Sequence, residues 1–328
     1  MIPDELWMRR ALQLAALGLG KVQPNPLVGA VVVSDERIIG EGYHRQYGAS
    51  HAEVNAINAV KNQELFKKST LYVNLEPCIH FGKTPPCALL IIEKKIPKVV
   101  IGMKDPNPKM NGKGIKMLRE AGIEVIEDVL KDECLWLNKR FVTYHTKKHP
   151  YIFLKWAQTK DGFMDILRNT GIDVAHNAHT YWITNDALRI WVHKMRNEEQ
   201  AILVGYNTLK NDNPQLTNRF YGSNQPQRFV WYDALKPVKT DNSFLFLTGN
   251  IKEILDKLYT LKIQSVIIEG GKKTLQNFLD AHLWDEAFIL VGNVEWKTGI
   301  DAPKIHHLID NKINIDKETI WHYVRKKS

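Results

Sequence analysis

The sequence predicts two consecutive α/β domains. Three observations carry that reading. The length of 328 residues is about twice that of an ordinary domain. Short apolar runs alternate with helix-periodic stretches along most of the chain. That alternation breaks at the basic stretch 145–149, closed by Pro150. The first domain is expected over residues 1–148 and the second over 149–328.

In the first half, Leu6, Met8, Leu12, Ala15, Ala16 and Leu19 recur at helical spacing, so 5–20 reads as an opening helix closed by Gly18 and Gly20. After the turn at Pro24, Asn25 and Pro26, the Val-rich run 27–33 reads as a strand. Asp35 and Glu36 mark a turn and 37–43 returns, which predicts a hairpin. Helices are then expected at 52–60, 86–93, 113–121 and 131–144, with strands at 70–74, 98–102 and 123–126. The second half gives strands at 151–157, 201–205, 228–231, 244–247, 265–269 and 287–291, and helices at 186–196, 251–261 and 273–282. No internal repeat or low-complexity tract interrupts the series.

Composition narrows the function classes. With 44% hydrophobic and 25% charged residues the chain has the balance of a soluble globular protein. No apolar run approaches the roughly 20 residues that cross a bilayer. Asp4 and Glu5 ahead of an amphipathic stretch are unlike a signal peptide, so a cytoplasmic location is expected. Three cysteines, Cys78, Cys87 and Cys134, are too few and odd in number for a disulfide framework, and their thiols are expected free or metal-bound. The net charge of +9 comes from scattered lysines. It suits a basic surface serving anionic small ligands better than polynucleotide binding.

His51, Ala52 and Glu53 stand at the start of a predicted helix, Pro77 and Cys78 stand just after a strand, and Cys87 follows nine positions on. A neutral imidazole and two thiolates are good zinc ligands, and three protein ligands leave the fourth tetrahedral position to water, as in catalytic sites. Nearby helix N-termini and the metal favour the thiolate form. Glu53, two positions after His51, is expected beside the metal without binding it. There a carboxylate takes a proton from the metal's water and returns it to a leaving amine. This is the signature of zinc deaminases, except that eight residues separate the cysteines instead of two. The alternative is a closed structural zinc with His80 as fourth ligand, which gives an acid at Glu53 no role.

The run from Pro24 to Gly29, then Gly42, Tyr43 and His44, then 48–53, resembles the bifunctional riboflavin-biosynthesis deaminase/reductase family. So do the run from Leu75 and Glu76 through Cys78, His80 and Lys83 to Cys87, and the segment Asp105, Pro106, Asn107, Pro108. The resemblance covers the whole first half and includes the long insertion between the cysteines. It implies a cytidine-deaminase-like three-layer α/β/α fold, and a pocket in which Asn25, His44, His80 and Lys83 hold a diaminopyrimidine and its ribosyl phosphate. Each has a plainer reading: Asn25 as a stabiliser of a Pro-flanked turn, His44 as a strand-end residue, and Lys83 as a solvated loop lysine.

The second half is similar to the reductase domain of the same family, on 154–162; Trp182, Ile183 and Thr184; 202–205 with Thr208; Asp212, Asn213 and Pro214; and Ile268, Glu269, Gly270 and Gly271. The resemblance implies a dihydrofolate-reductase-like α/β fold that uses NADPH. Ala157, Trp182, Thr208, Asp212 and the loop from Gly271 would contact the dinucleotide, and Thr180, Arg196, Arg219 and Glu269 the sugar phosphate. The residues agree in part. Gly270 and Gly271 between a strand and a helix let bare backbone amides approach a pyrophosphate, although a Gly pair there also serves a tight turn. The guanidinium forks of Arg196 and Arg219 suit a phosphate. Two segments depart from the family pattern: a longer, more polar stretch between Phe163 and Thr180, and Gly292, Asn293, Val294, Glu295, Trp296 in place of a Pro- and Gly-containing motif.

The resemblance thus implies a two-step enzyme with Zn2+ and NADPH. The first half would remove the amine at pyrimidine C2 of 2,5-diamino-6-(5-phosphoribosylamino)pyrimidin-4(3H)-one, and the second would reduce ribosyl to ribityl, with the proton donor open between Lys155 and Glu269. The partner expected is this small pyrimidine ribosyl phosphate, with no nucleic acid and no membrane; homo-oligomerisation stays open. The competing readings are a zinc deaminase acting on a base in a polynucleotide, which leaves the second half unexplained, and a zinc-stabilised nucleic-acid-binding protein. Against the latter, basic and aromatic residues are not clustered.

Overall fold

The computed structural model describes residues 3–80, 85–167, 182–232 and 243–326. The chain forms two compact units, Met1–Lys148 and His149–Ser328.

The first unit is built on five strands, β1 (Gly29–Ser34), β2 (Arg37–Tyr43), β3 (Ser69–Val73), β4 (Lys98–Ile101) and β5 (Glu124–Ile126), in the order β2-β1-β3-β4-β5. β1 runs antiparallel to β2 and β3, while β3, β4 and β5 are parallel. Strand alternation sends Ala30 and Val32 to one face, under α2 (Ala52–Asn58), α3 (Cys87–Glu93) and α4 (Lys113–Glu120). Val31 and Val33 meet α1 (Asp4–Ala16) and α5 (Lys131–Leu137) on the other. Covered on both faces, β1 is buried throughout, which is why it reads as a continuous apolar run. The result is the three-layer α/β/α arrangement. Packing of α1 on β1 is close enough that a Cβ on Gly29 would lie 2.0 Å from the Ala11 carbonyl oxygen.

Two helices differ from expectation. The opening helix stops at Ala16, and the chain continues in turns with Leu17 N–H donating to Leu14 O and Gly18 N–H to Ala15 O. The helix expected over 131–144 is two, α5 and α6 (Lys139–Lys147), parted at Asn138. The buried Asn138 side chain is committed elsewhere: Oδ1 accepts from Leu27 N at 2.8 Å and Nδ2 donates to Leu27 O at 2.9 Å. Those two bonds pin the start of the α6 helix to the approach of β1.

The second unit has an eight-stranded sheet made of β6 (Tyr151–Gln158), β8 (Ala201–Gly205), β9 (Gln227–Trp231), β10 (Leu245–Leu247), β11 (Ser265–Ile268), β12 (Glu286–Val291), β14 (Asn311–Ile315) and β15 (Glu318–Val324). Its order is β10-β9-β8-β11-β6-β12-β15-β14; the first six are parallel, and the last two antiparallel additions. A small pair, β7 (Phe163–Asp165) with β13 (Ile300–Asp301), stands apart. Leu154, Leu203, Phe229 and Ile268 pack under α9 (Ile251–Thr260) and α10 (Lys272–Asp280). Phe153, Ile202, Val204 and Ile267 pack on the opposite face, with Met195 of α7 (Asp186–Glu198) and Leu209 of α8 (Tyr206–Asp212). The elements β7, α8, β13, β14 and β15 have no counterpart among those the sequence pattern predicts. Among the described residues no helix is long and apolar enough to cross a membrane.

Candidate active site

In the first unit, His51 is the N-cap of α2, and its extended backbone turns the imidazole out of the helix before the first turn. Glu53, one residue into that helix, is buried. Cys78 leaves the sheet after β3, and Cys87 opens α3. The two are tied by Cys87 N–H donating to Cys78 Sγ at 3.4 Å and Ala88 N–H to Cys78 O at 3.1 Å. Cys78 Sγ and Cys87 Sγ lie 3.5 and 3.3 Å from His51 Nδ1, and the three atoms fall within 4.8 Å of one another. A tetrahedral zinc with bonds of about 2.3 Å to sulfur and about 2.0 Å to nitrogen sets such N···S pairs about 3.5 Å apart, so this group could hold the ion. His80 is exposed and does not belong to the group, which leaves three protein ligands among the described residues.

The electrostatics are those of a half-buried thiol, Cys78, beside a buried one, Cys87. A hydrogen bond from Cys87, aided by His51, outweighs burial and draws the Cys78 thiol down to about 4. Cys87, beside that thiolate and itself buried, is pushed upward. His51 is raised by its bond to Cys78, against its burial. Burial, reinforced by the charge of Cys78, pushes Glu53 up to about 7, although His51 opposes the shift.

Two of the predicted pocket residues come together beside His51. Asn25 Nδ2 lies 3.0 Å from His44 Nε2, and His44 Nδ1 lies 3.0 Å from the Ser50 carbonyl. The carbonyl can only accept, so Nδ1 carries the proton and Nε2 accepts from the amide. Burial holds His44 below its usual range, consistent with a neutral ring, and its ring meets His51 edge-on at 5.6 Å. Lys83, Thr180 and most of the stretch between Phe163 and Thr180 lie outside the described residues. Two further carboxyls are buried in this unit: Glu76, whose oxygens accept four backbone N–H groups, and Asp105, raised to about 6 chiefly by burial.

In the second unit Ala157, Thr208, Glu269 and Gly271 lie at or just past the carboxyl ends of the neighbouring strands β6, β8 and β11, where parallel sheets place ligands. Glu269 follows β11, and its Oε2 lies 3.1 Å from Arg196 Nη2 and 3.6 Å from Lys155 Nζ of β6. Burial disfavours the Glu269 charge, but Arg196 and then Lys155 more than reverse this and hold it below the usual carboxylate range. Burial lowers Lys155, with Glu269 in partial opposition. Among the described residues, Glu269 Oε1 and Arg196 Nε are buried without a hydrogen-bond partner, so each has capacity for a water or a ligand.

Gly270, at φ 145°, and Gly271 lead into α10, where Gly271 N–H donates to Thr208 Oγ1 at 3.0 Å. A bare backbone at a helix start with Lys272 and Lys273 in its first turn fits a dinucleotide pyrophosphate. Ala157 lies near the end of β6 and Asp212 at the exposed end of α8. Trp182 is exposed with Arg189 stacked 4.0 Å from its ring centre. Arg219 is exposed, and its backbone N–H donates to His193 Nδ1 at 2.9 Å, while Arg196 Nη1 donates to Thr217 O at 3.2 Å. His193, buried and missed in the sequence, therefore holds the loop that carries Arg219. The divergent segment after β12 folds back onto the β6 end: Gly292 N–H donates to Gln158 O, and Trp296 and Lys297 N–H donate to Asp161.

Known proteins share this arrangement. Residues 1–103 match the cytidine and deoxycytidylate deaminase zinc-binding region, and 150–294 match the RibD C-terminal domain. The riboflavin biosynthesis protein RibD of Aquifex aeolicus is 40% identical over 88% of this chain and 86% of its own length. The chain belongs to the RibD family. The RibD of Bacillus amyloliquefaciens is 39% identical over 88% of this chain and 85% of its own. A Thermotoga maritima structure, described as a diaminohydroxyphosphoribosylaminopyrimidine deaminase/5-amino-6-(5-phosphoribosylamino)uracil reductase, superposes with a TM-score of 0.85 at 38% identity, covering 97% of both chains. Acinetobacter baumannii RibD superposes with a TM-score of 0.88 at 28% identity, covering 99% of both. The cytidine-deaminase-like and RibD C-terminal folds follow from these likenesses.

Proposed function

We propose that this RibD-family chain performs two successive steps of riboflavin biosynthesis, a zinc-dependent deamination in the first unit and an NADPH-dependent reduction in the second. The observation that carries the reading is the convergence of His51, Cys78 and Cys87 beside the buried Glu53. The substrate is 2,5-diamino-6-(5-phosphoribosylamino)pyrimidin-4(3H)-one. A C–O bond forms at pyrimidine C2, the C–N bond breaks and ammonia leaves. His51, Cys78 and Cys87 would hold the zinc, which would acidify a water for attack on C2. Glu53, buried beside these residues, takes a proton from the attacking water at its carboxylate and returns it to the departing amine. Asn25 and the neutral His44 orient the pyrimidine, and His80 and Lys83 complete the pocket for its ribosyl phosphate.

In the second step the ribosyl ring opens at C1′, and NADPH, when bound, would supply the hydride for that carbon. Ala157, Trp182, Thr208, Asp212 and Gly271 hold the dinucleotide; Thr180, Arg196, Arg219 and Glu269 hold the sugar phosphate. Of the two candidate proton donors, Lys155 carries the proton, because Arg196 and Lys155 keep Glu269 ionised. Lys155 Nζ therefore protonates the opening ring oxygen. We place both reactions in the cytoplasm, where the free thiols stay reduced. The test is an assay of the full chain with the diaminopyrimidine phosphate. Ammonia and the deaminated ribosyl product are expected without NADPH, and the ribityl product with it; zinc-loaded protein that releases no ammonia refutes the reading.

A further inference from the structure

We infer that Glu76, which is not among the zinc ligands, holds the Cys78 loop and the segment 105–115 in one arrangement, so that zinc binding and the order of that segment are coupled. The inference rests on the zinc reading above. Glu76 is 3% exposed. Its Oε2 accepts from Asp105 N at 3.1 Å and Gly112 N at 2.9 Å; its Oε1 accepts from Gly114 N at 2.8 Å and Ile115 N at 3.4 Å. Its own N–H donates to Met103 O at 3.0 Å. The residue thus ties the exits of β3 and β4 to the start of α4.

No lysine, arginine or histidine pairs with Glu76 among the described residues. A buried carboxylate without a countercharge is costly. Here the positive end of α4, entered through Gly112 at φ 89°, takes the place of a cation. The neighbouring backbone is equally constrained. A Cβ on Gly114 would lie 2.2 Å from Pro77 O, so the first turn of α4 rests directly on the peptide that precedes Cys78. Movement of α4 therefore moves Pro77, and the next residue is the ligand Cys78. A neutral side chain could satisfy one or two of these amides. The carboxylate, accepting from four backbone N–H groups, instead fixes two loops against each other, one bearing a zinc ligand and the other the buried Asp105.

Coupling of this kind is reciprocal: if the segment positions Cys78 for zinc, zinc must stabilise the segment by the same free energy. The experiment compares amide hydrogen exchange of the full chain stripped by a chelator and reloaded with zinc. Exchange at Asp105, Gly112, Gly114 and Ile115 should slow by about tenfold or more on loading, the low end of the effect of residues that support metal ligands. In Glu76→Gln, whose amide turns a donor toward backbone donors, that slowing should vanish, and zinc should pass to a chromophoric chelator about 10–100-fold faster. Unchanged exchange over 105–115 in wild-type protein that has taken up zinc overturns the inference while leaving the zinc reading intact. A folded Glu76→Gln that releases zinc at the wild-type rate overturns it too. Wild-type protein that takes up no zinc removes both. Should Glu76→Gln fail to fold, the wild-type comparison decides alone.

Discussion

Replacing Arg196 with alanine isolates the electrostatics of the second site. The side chains of Arg196, Glu269 and Lys155 are 11, 12 and 13% exposed, with contacts to Glu269 of 3.1 and 3.6 Å. At 3.1 Å the attraction is ~5 kcal/mol for an effective dielectric constant of about 20. Desolvation offsets much of that in the intact pair, but stranding one buried partner costs about 3–5 kcal/mol. Lys155 remains as a countercharge, so the low end, ~3 kcal/mol, is expected. In a unit of this size each kcal/mol moves the melting temperature by about 2–4 °C, which gives a drop of about 6–12 °C.

The loss must also depend on pH. Glu269 is held below its ordinary range because Arg196 and Lys155 overcome its burial. A carboxylate depressed in the folded state adds stability above its unfolded pKa, and loses it as pH falls through the folded value. Without Arg196 that contribution shrinks, so the deficit of the variant is greatest near neutrality and narrows below about pH 4. Scanning calorimetry of both proteins at neutral and acidic pH measures it. An unchanged melt at neutral pH, or a deficit that grows in acid, refutes the reasoning.

Other outcomes follow from the same geometry. Cys78→Ser and Cys87→Ser should lose zinc on elemental analysis while His80→Ala keeps it; equal loss in His80→Ala would mean a closed structural site. Because the zinc group and the Arg196–Glu269 pair lie in different units, folded Cys78→Ser should still reduce the deaminated intermediate. Arg196→Ala combined with Glu269→Ala should still deaminate. Single-step assays on each variant check this, and loss of both activities in either one would indicate a shared site. With Lys272 and Lys273 at the α10 start, NADPH should be preferred over NADH by about tenfold or more in kcat/KM, the value of one charge-assisted contact of ~1.5 kcal/mol; equal kcat/KM for both would refute it.

The zinc group was legible because its chemistry is scarce. Two of three cysteines sit at strand and helix ends, and only one His is followed two positions later by Glu at a helix start beside them. The interior strands β1, β8 and β11 were legible because both their faces are buried, which makes each a largely apolar run. Features that depend on distant partners were not. Nothing local marks Asn138 as a helix break, since its bonds go to Leu27, 111 residues away. The edge strand β14 is almost wholly exposed, so Asn311–Ile315 has no buried face to show. The α8 helix is one short run of Asn, Thr and Asp among better formers, held by its place after β8. Glu76 escaped a role because its partners are backbone amides, which leave no pairing pattern in a sequence.

The central claim is that Glu53 moves protons beside a zinc held by His51, Cys78 and Cys87. Glu53→Gln keeps the size of the side chain and removes its capacity to accept and return a proton, a role worth about 10²–10⁴-fold in rate. The direct measurement is ammonia release by the full-length variant, with zinc content determined on the same sample. The account predicts one zinc per chain, as in the parent protein, with deamination slowed by at least about a hundredfold. A zinc-loaded Glu53→Gln that deaminates at the parent rate contradicts it.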